Sequence, residues 1–321
     1  MLRKVLEIFI AVVFSVLFTI ALIYATVEIP SVVNELLLSV FPDLWWGGME
    51  PPGAIARVES LRTFGYVSFM ATLLLMIIGL IVKRGKLITL GSIALYLPTF
   101  SYFAFTMFSL AGIGVFMALW FPLMDLSPLL LRLGEVVYAP FSLLFVLIGL
   151  DVGIPLCFAF IGVGILIFSW GTATWLYGRF KSFEILDFWI YRYSRHPQYL
   201  GFLLWSYGLL LLTPFLSSPG AGYVLPPSLP WLTLALTIVG VALYEENTMV
   251  KRHGKKYVRY RDNTPFMLPL PKQLSSLITA PARALLKKNL PENGKEVVYV
   301  ITVYSIMLVF LSLPSILFLH I

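Results

Sequence analysis

The chain is short of charge. Asp, Glu, Lys and Arg make up 12% of its 321 residues, about half of the roughly 25% that a soluble globular domain carries. That shortage excludes an ordinary water-soluble fold. Cysteine is nearly absent: the single Cys157 lies inside an apolar run, which excludes an intrachain disulfide, and no Cys/His spacing suggests a metal site. Glutamine occurs twice, at Gln198 and Gln273. A glycine-rich nucleotide fingerprint after a strand is also missing. Gly220-Ala221-Gly222 lies between two apolar runs, has no strand before it, and reads as a turn.

What the chain has in abundance is apolar length. It is 59% hydrophobic, with a mean hydropathy of +0.90. Continuous apolar runs at Val5–Val27, Phe64–Val82, Leu87–Phe105, Phe108–Met124, Val136–Leu150, Gly153–Tyr177, Tyr199–Leu216, Leu229–Val250 and Val297–Leu317 are candidate spans. Leu87–Phe105 and Phe108–Met124 can also be drawn as one long helix bent at Pro98. The runs do not alternate, which argues against a β-barrel. The expected fold is an all-α polytopic membrane bundle of about seven to nine transmembrane helices. The first run follows Arg3 and Lys4 but is too long for a cleaved signal segment and lacks a small-residue cleavage site, so it is expected to be a span.

The net charge of +7 is gathered in short clusters between apolar runs. That placement fits cytoplasmic loops beside anionic lipid better than nucleic-acid binding. The stretch from Glu28 to Arg62 holds five acids against two cations, a net −3, whereas Lys83-Arg84-Gly85-Lys86 is +3. Further cations gather at Arg179, Lys181, Arg192 and Arg195, and again at Lys251, Arg252, Lys255, Lys256, Arg259 and Arg261. The positive-inside rule puts the basic clusters and the N-terminus in the cytoplasm. Three parts are expected: N-terminal spans over 1–150, a polar-motif core over 151–271, and a basic linker with a last span over 272–321.

Two polar stretches interrupt this apolar chain. One is Tyr191-Arg192-Tyr193-Ser194-Arg195-His196-Pro197-Gln198-Tyr199-Leu200-Gly201; the other runs from Glu245-Glu246 through Gly254, Tyr257 and Tyr260 to Pro265. Polar clusters at membrane depth are costly unless they face water, protein or a ligand. Tyr199–Leu216 and Leu229–Val250 should form an antiparallel hairpin closed by the Pro/Gly-rich segment Ser217–Ser228. That hairpin brings His196 and Tyr199 beside Glu245 and Glu246.

Pro197 suits the first position of a helix, with His196 as its N-cap residue. The free amides of such a helix start, together with the forked cation of Arg195, suit a carboxylate or phosphate. His196 and Tyr199 share a helix face. Gly201 admits a close helix or ligand. Glu245 and Glu246, drawn at the end of the returning helix, oppose its macrodipole and call for a cationic partner, a ribose or an ammonium. Each residue also has a plainer role. The cations can be positive-inside anchors, the tyrosines an interfacial belt, His196 a cap, and the two glutamates an ion pair with Arg192 or Arg195. Lys251–Arg261 reads as an interfacial segment with Tyr257 and Tyr260 at headgroup depth.

The joint pattern resembles the isoprenylcysteine carboxyl methyltransferase and phospholipid methyltransferase superfamily. The resemblance rests on Arg195-His196-Pro197-Gln198-Tyr199-Leu200-Gly201, then Glu245-Glu246, Met249, Gly254-Lys255-Lys256-Tyr257-Val258-Arg259-Tyr260, and Pro265 with Pro269. It covers roughly Asp151–Pro271. Where relatives often carry Gly two residues before the motif's first Tyr, this chain has Trp189. The resemblance implies an S-adenosylmethionine-dependent methyltransferase. Its cofactor would be held on the cytoplasmic side by Arg195, His196, Tyr199, Gly201, Glu245 and Glu246. Its acceptor would be lipophilic, with a carboxylate, amine or thiol, and would enter from the lipid bilayer.

Two other classes compete. A reductase of the sterol Δ14/Δ7 type carries a related Arg-His-Pro-x-Tyr-x-Gly element and binds NADPH. Its relatives usually have Asp-Glu with a Cys before the Gly, where this chain has Glu245-Glu246 and no Cys. A transporter or scaffold would place function in the N-terminal spans, yet Val5–Leu150 shows no clear mid-span ionisable residue and no convincing inverted repeat.

Overall fold

The computed structural model describes residues 2–40, 62–82, 87, 90–91, 120–148, 153–216, 228–288 and 290–318. Among them every regular element is helical. Four helices are long and apolar enough to cross a bilayer: Lys4–Tyr24, Gly153–Phe180, Ser228–His253 and Gly294–Pro314. Thr63–Gly79 and Pro197–Leu212 are shorter apolar helices. The chain is therefore an all-α membrane protein. The expected spans Leu87–Phe105 and Phe108–Met124, the bend at Pro98, the cluster Lys83–Lys86 and the segment 217–227 lie largely or wholly outside the described residues, as does most of the acidic stretch.

By contact the described chain forms two units. One takes in Met1–Ile23, Leu156–Gly208 and Ile238–Tyr304. The other takes in Tyr24–Pro155, Leu209–Thr237 and Ser305–Ile321.

In the first unit, α1 (Leu2–Val40) lies beside α5 (Gly153–Phe180). Ala11, Ser15 and Thr19, spaced by four, are buried, while Phe9, Phe14 and Leu17 are exposed. Ser15 Oγ donates to Ser169 O, Phe18 stacks on Phe168 with centroids 6.3 Å apart, and Lys181 pairs with Glu7. Small residues at the seam and large ones facing outward are how helices associate in lipid. α5 packs in turn on α6 (Pro197–Leu216) through glycines. A Cβ on Gly201 would come within 2.4 Å of Phe168 N and 2.7 Å of Gly164 O, and one on Gly208 within 2.8 Å of Cys157 O.

In the second unit, Trp120 precedes the short helix α3 (Phe121–Leu126). It packs with Leu123 and with Phe69, Leu73 and Met76 of α2 (Arg62–Ile81), and with Leu131 and Leu229. Tyr66 donates to Asp125 at 3.0 Å. The 3-10 turns Pro128–Arg132 and Glu135–Tyr138 hold a buried Arg132–Glu135 pair and lead into α4 (Ala139–Ile148).

Several expectations need correction. The first helix continues to Val40, so residues 28–40, expected in a loop, are helical; Val32-Val33-Asn34-Glu35-Leu36-Leu37-Leu38 contains nothing that stops a helix. In the expected span Val136–Leu150, the described residues form a 3-10 turn, Glu135–Tyr138, before α4 begins at Ala139. α7 (Ser228–His253) does not end at Glu245-Glu246. It runs two turns further, and its last turn carries Lys251, Arg252 and His253, which suit the negative end of the helix dipole.

Gly254 then turns the chain at φ 52°, ψ −133° into α8 (Lys255–Asn263). Only glycine adopts that backbone without strain, and no neighbouring atom would touch an added Cβ there. Gly254→Ala should therefore lower stability through strain alone, by about 1–3 kcal/mol, seen as a lower melting temperature in detergent. The expected basic linker after Pro271 is instead a 15-residue helix, α9 (Lys272–Leu286), followed by α10 (Gly294–Phe318).

Candidate functional site

The first motif folds around the start of α6. Pro197 is its first residue, and the His196 carbonyl accepts from Leu200 N at 2.9 Å, the opening bond of the helix. As the hairpin argument requires, α6 and α7 bring the two motifs together. Tyr199 OH donates to Glu245 Oε1 at 2.8 Å. His196 Nε2 lies 3.1 Å from Glu246 Oε1, and Arg195 Nη1 lies 3.1 Å from Glu246 Oε2. A carboxylate can only accept, so Nε2 carries the ring hydrogen in that bond. Glu246 is 2% exposed and uses one oxygen for each partner. The ion pair foreseen for the two glutamates is thus made by one of them, with Arg195.

Arg195 is held from a third side. Its N–H donates to Pro265 O at 3.0 Å, and its guanidinium sits 5.6 Å from the centroid of the Phe266 ring. Phe266 also meets His196 edge-on at 5.2 Å. The segment after α8 therefore straps the motif down. Within the guanidinium, Nε and Nη1 are buried without a hydrogen-bond acceptor among the described residues, and Nη1 meets Glu246 as an ion pair.

Arg195, His196, Tyr199 and Glu245 line a cavity of about 700 Å³. Glu246 and Gly201 do not line it: Glu246 stands behind the wall as the partner of Arg195 and His196, and Gly201 serves helix contact with α5. The remaining wall comes from Trp175, Gly178 and Arg179 of α5, Ser182–Leu186, Tyr191, Gln198, Tyr244, Thr248, Met249, Arg252 and His253 of α7, and Tyr257 and Tyr260. Tyr257 and Tyr260 are not headgroup anchors. Tyr257 is buried, and Tyr260 OH donates to Tyr191 O at 2.7 Å. Burial is the main cause that pushes the phenols of Tyr191, Tyr257 and Tyr260 well above their ordinary range, so all three are neutral hydrogen-bonding groups at any physiological pH.

Sequence reasoning missed the segment 182–189. It crosses the cavity wall between two non-glycine residues in the left-handed region, Ser182 (φ 55°) and Trp189 (φ 49°). Trp189 stacks on Tyr177 at 5.1 Å, and Phe188 meets Phe183, Tyr177 and Trp189 edge-on. The aromatics crowded between two helix ends were the signal that could have found it. The Trp189 backbone, at φ 49°, is one that glycine adopts freely. Trp189→Ala loses the stack and keeps the strain, whereas Trp189→Gly loses the stack but relieves the strain. The glycine variant should therefore be the more stable of the two by about 1 kcal/mol, measured by thermal unfolding.

Glu184 ties this segment to the other wall. Its Oε2 lies 3.2 Å from Lys256 Nζ and 3.9 Å from His253 Nδ1. The Lys256 hydrogen bond and charge, then His253 and Arg252, hold its carboxyl below the usual range. The tie is thus complete above the ordinary carboxylate pKa and is lost as pH falls through the lowered one. Being exposed, it adds little to stability. Lys256→Gln should move the Glu184 titration upward, which carboxyl NMR would detect.

Residues 181–264 match a protein family described as a protein of unknown function, DUF1295. No curated protein and no solved structure matches the chain. Fold and match together define a helical membrane protein with a DUF1295-like region, and that region carries the cavity wall from Ser182 to Tyr260.

Proposed function

We propose that the protein is an S-adenosylmethionine-dependent integral membrane methyltransferase acting on a lipophilic acceptor at the cytoplasmic face of its membrane. The observation that carries this reading is the convergence of Arg195, His196, Tyr199 and Glu245 on one cavity, from two motifs about fifty residues apart. DUF1295 is related to steroid-reductase-like and methyltransferase-like membrane proteins, which supports the general class.

The residues fit such a cofactor. The cavity, at about 700 Å³, falls within the roughly 300–1,000 Å³ of small-molecule sites. Buried Arg195 has nitrogens without hydrogen-bond acceptors and suits the amino-acid carboxylate. Its charge is already shared with Glu246, so Arg195 orients more than it neutralises. His196 and Tyr199 are stacked 5.7 Å apart with planes 12° from parallel, and their flat faces suit the adenosine. Glu245, which among the described residues is engaged by Tyr199 at one oxygen, suits the ribose hydroxyls or the ammonium. When bound, the sulfonium supplies an already activated methyl group, leaving the protein mainly to bind, align and exclude water. The cations from Arg179 to Arg261 support a cytoplasm-facing cavity through the positive-inside rule.

The test is equilibrium binding of S-adenosylhomocysteine and NADPH, side by side, to the detergent-purified protein. The methyltransferase reading expects saturable binding of the first and none of the second. Binding of NADPH alone would move the chain to the reductase class, and binding of neither would move attention to the N-terminal spans. Glu245→Ala should weaken S-adenosylhomocysteine about tenfold or more, the loss of a charge-assisted hydrogen bond, with the melting temperature little changed. His196→Ala should weaken it too. Unchanged affinity in both variants would overturn the site assignment.

A further inference from the structure

α9 differs from the spanning helices. It is 15 residues long, contains Pro281, and extends only about 22 Å, too short to cross a bilayer. Its apolar and polar residues fall on opposite sides. Leu274, Leu277, Ile278 and Pro281 follow the 3–4 spacing of one stripe, and Ser275, Ser276, Thr279 and Arg283 that of another. Among the described residues nothing covers the apolar stripe: Leu274, Leu277 and Ile278 are 43%, 70% and 48% exposed. On the polar stripe, Arg283 Nη2 donates to Ser276 O and Oγ at 2.7 Å.

Two further observations identify what covers the apolar stripe. The first is charge. Between Asp262 and Glu292 there is no acid, while Lys272, Arg283, Lys287 and Lys288 fall within or just after α9. Lys288 is engaged by Glu292 and Glu296, whereas no acid among the described residues pairs with Arg283 or Lys287, and both suit an anionic surface. The second is depth. Tyr304 OH donates to the carbonyl of Ile278. Tyr304 lies ten residues into α10, about 15 Å along its axis, and its ring leans back toward the start of the helix. The charged residues Lys295 and Glu296 open that helix. The middle of α9 is thus held where α10 passes from the headgroups into the acyl chains.

We propose that α9 is an interfacial helix docked on anionic phospholipid, with Leu274, Leu277 and Ile278 among the upper acyl chains and Arg283 and Lys287 toward the headgroup phosphates. Such a helix sinks about 5–10 Å below the headgroups and is held by its apolar face and by charge together. The inference is independent of the cavity and its ligand.

The test uses the full chain reconstituted in vesicles of phosphatidylcholine alone or of phosphatidylcholine with phosphatidylglycerol. A Leu277→Cys variant carries an environment-sensitive fluorophore, with Ser276→Cys as its polar-face counterpart; the native Cys157 is wholly buried. The expected result is a blue-shifted probe at 277 quenched by shallow nitroxide lipids, more strongly in the anionic vesicles, and a probe at 276 quenched by aqueous iodide. An Arg283→Gln/Lys287→Gln pair should abolish the difference between the two lipid compositions. Iodide quenching at 277 would overturn the proposal, as would lipid quenching indifferent to anionic content. Quenching at 277 that depends on protein density would assign the face to a second copy and overturn it equally.

Discussion

Glu246→Ala is expected to lower the stability of the purified protein by about 3–5 kcal/mol, the loss seen when one member of a buried ion pair is removed. The carboxylate pairs with Arg195 and His196 at once, and it is almost sealed from solvent. Alanine would leave a buried guanidinium facing apolar side chains, its only other supports being the Phe266 ring and the backbone bond to Pro265. Glu246→Gln should fall between wild type and alanine, because it keeps a polar partner for His196 but not the charge. Arg195→Met combined with Glu246→Ala should recover part of the loss, since neither charge then remains. Thermal unfolding in detergent reads all three. A loss below about 1 kcal/mol for Glu246→Ala would mean that the cluster is solvated in the working protein. The contrast with Glu245→Ala separates the two neighbouring glutamates, one behind the cavity wall and one in it.

The second large effect is expected at the α5–α6 seam. Gly201→Val should prevent the two helices from seating. Its first carbon alone would lie 2.4 Å from Phe168 N and 2.7 Å from Gly164 O. These are backbone atoms that cannot turn aside as a side chain can. Overpacking of ordinary cores costs about 1–3 kcal/mol, and a clash against backbone on both sides should reach or exceed the top of that range. The helices would have to move apart by an ångström or more, carrying Tyr199 away from Glu245. The expected result is aggregation or loss of the monodisperse peak on size-exclusion chromatography. Gly162→Ala is the control: nothing lies within 4 Å of an added carbon there, so it should behave as wild type. Equal behaviour of the two variants would show that the seam is looser than its contacts indicate.

Much of the site could be read from residue order because it depends on local rules. Pro197 sets a helix start wherever it falls after a capping position, and a hairpin of two apolar helices must bring its open ends together. The pairing of His196 and Tyr199 with the two glutamates followed from those facts. The division of labour between Glu245 and Glu246 did not, because adjacent helix residues point about 100° apart and the sequence does not say which faces the cavity. The true end of α7 was missed because acids were weighed against the helix dipole without regard to the cations two turns on. α9 was missed because four cations and a proline in a short segment suggest a linker, although the spacing of Leu274, Leu277, Ile278 and Pro281 already carried the helical period. The buried tyrosines of α8 were misassigned for a related reason. A tyrosine beside lysines suits an interface equally well from either side, and only the positive φ of Gly254 turns α8 back toward the site.

The cavity takes its lining from two stretches, Trp175–Tyr199 and Tyr244–Tyr260, strapped by Pro265 and Phe266. A binding site assembled from many distant segments changes whenever any of them is exchanged. One contained between the start of one helical hairpin and its end can pass between proteins as a unit, joined by recombination to whatever flanking helices suit a new membrane.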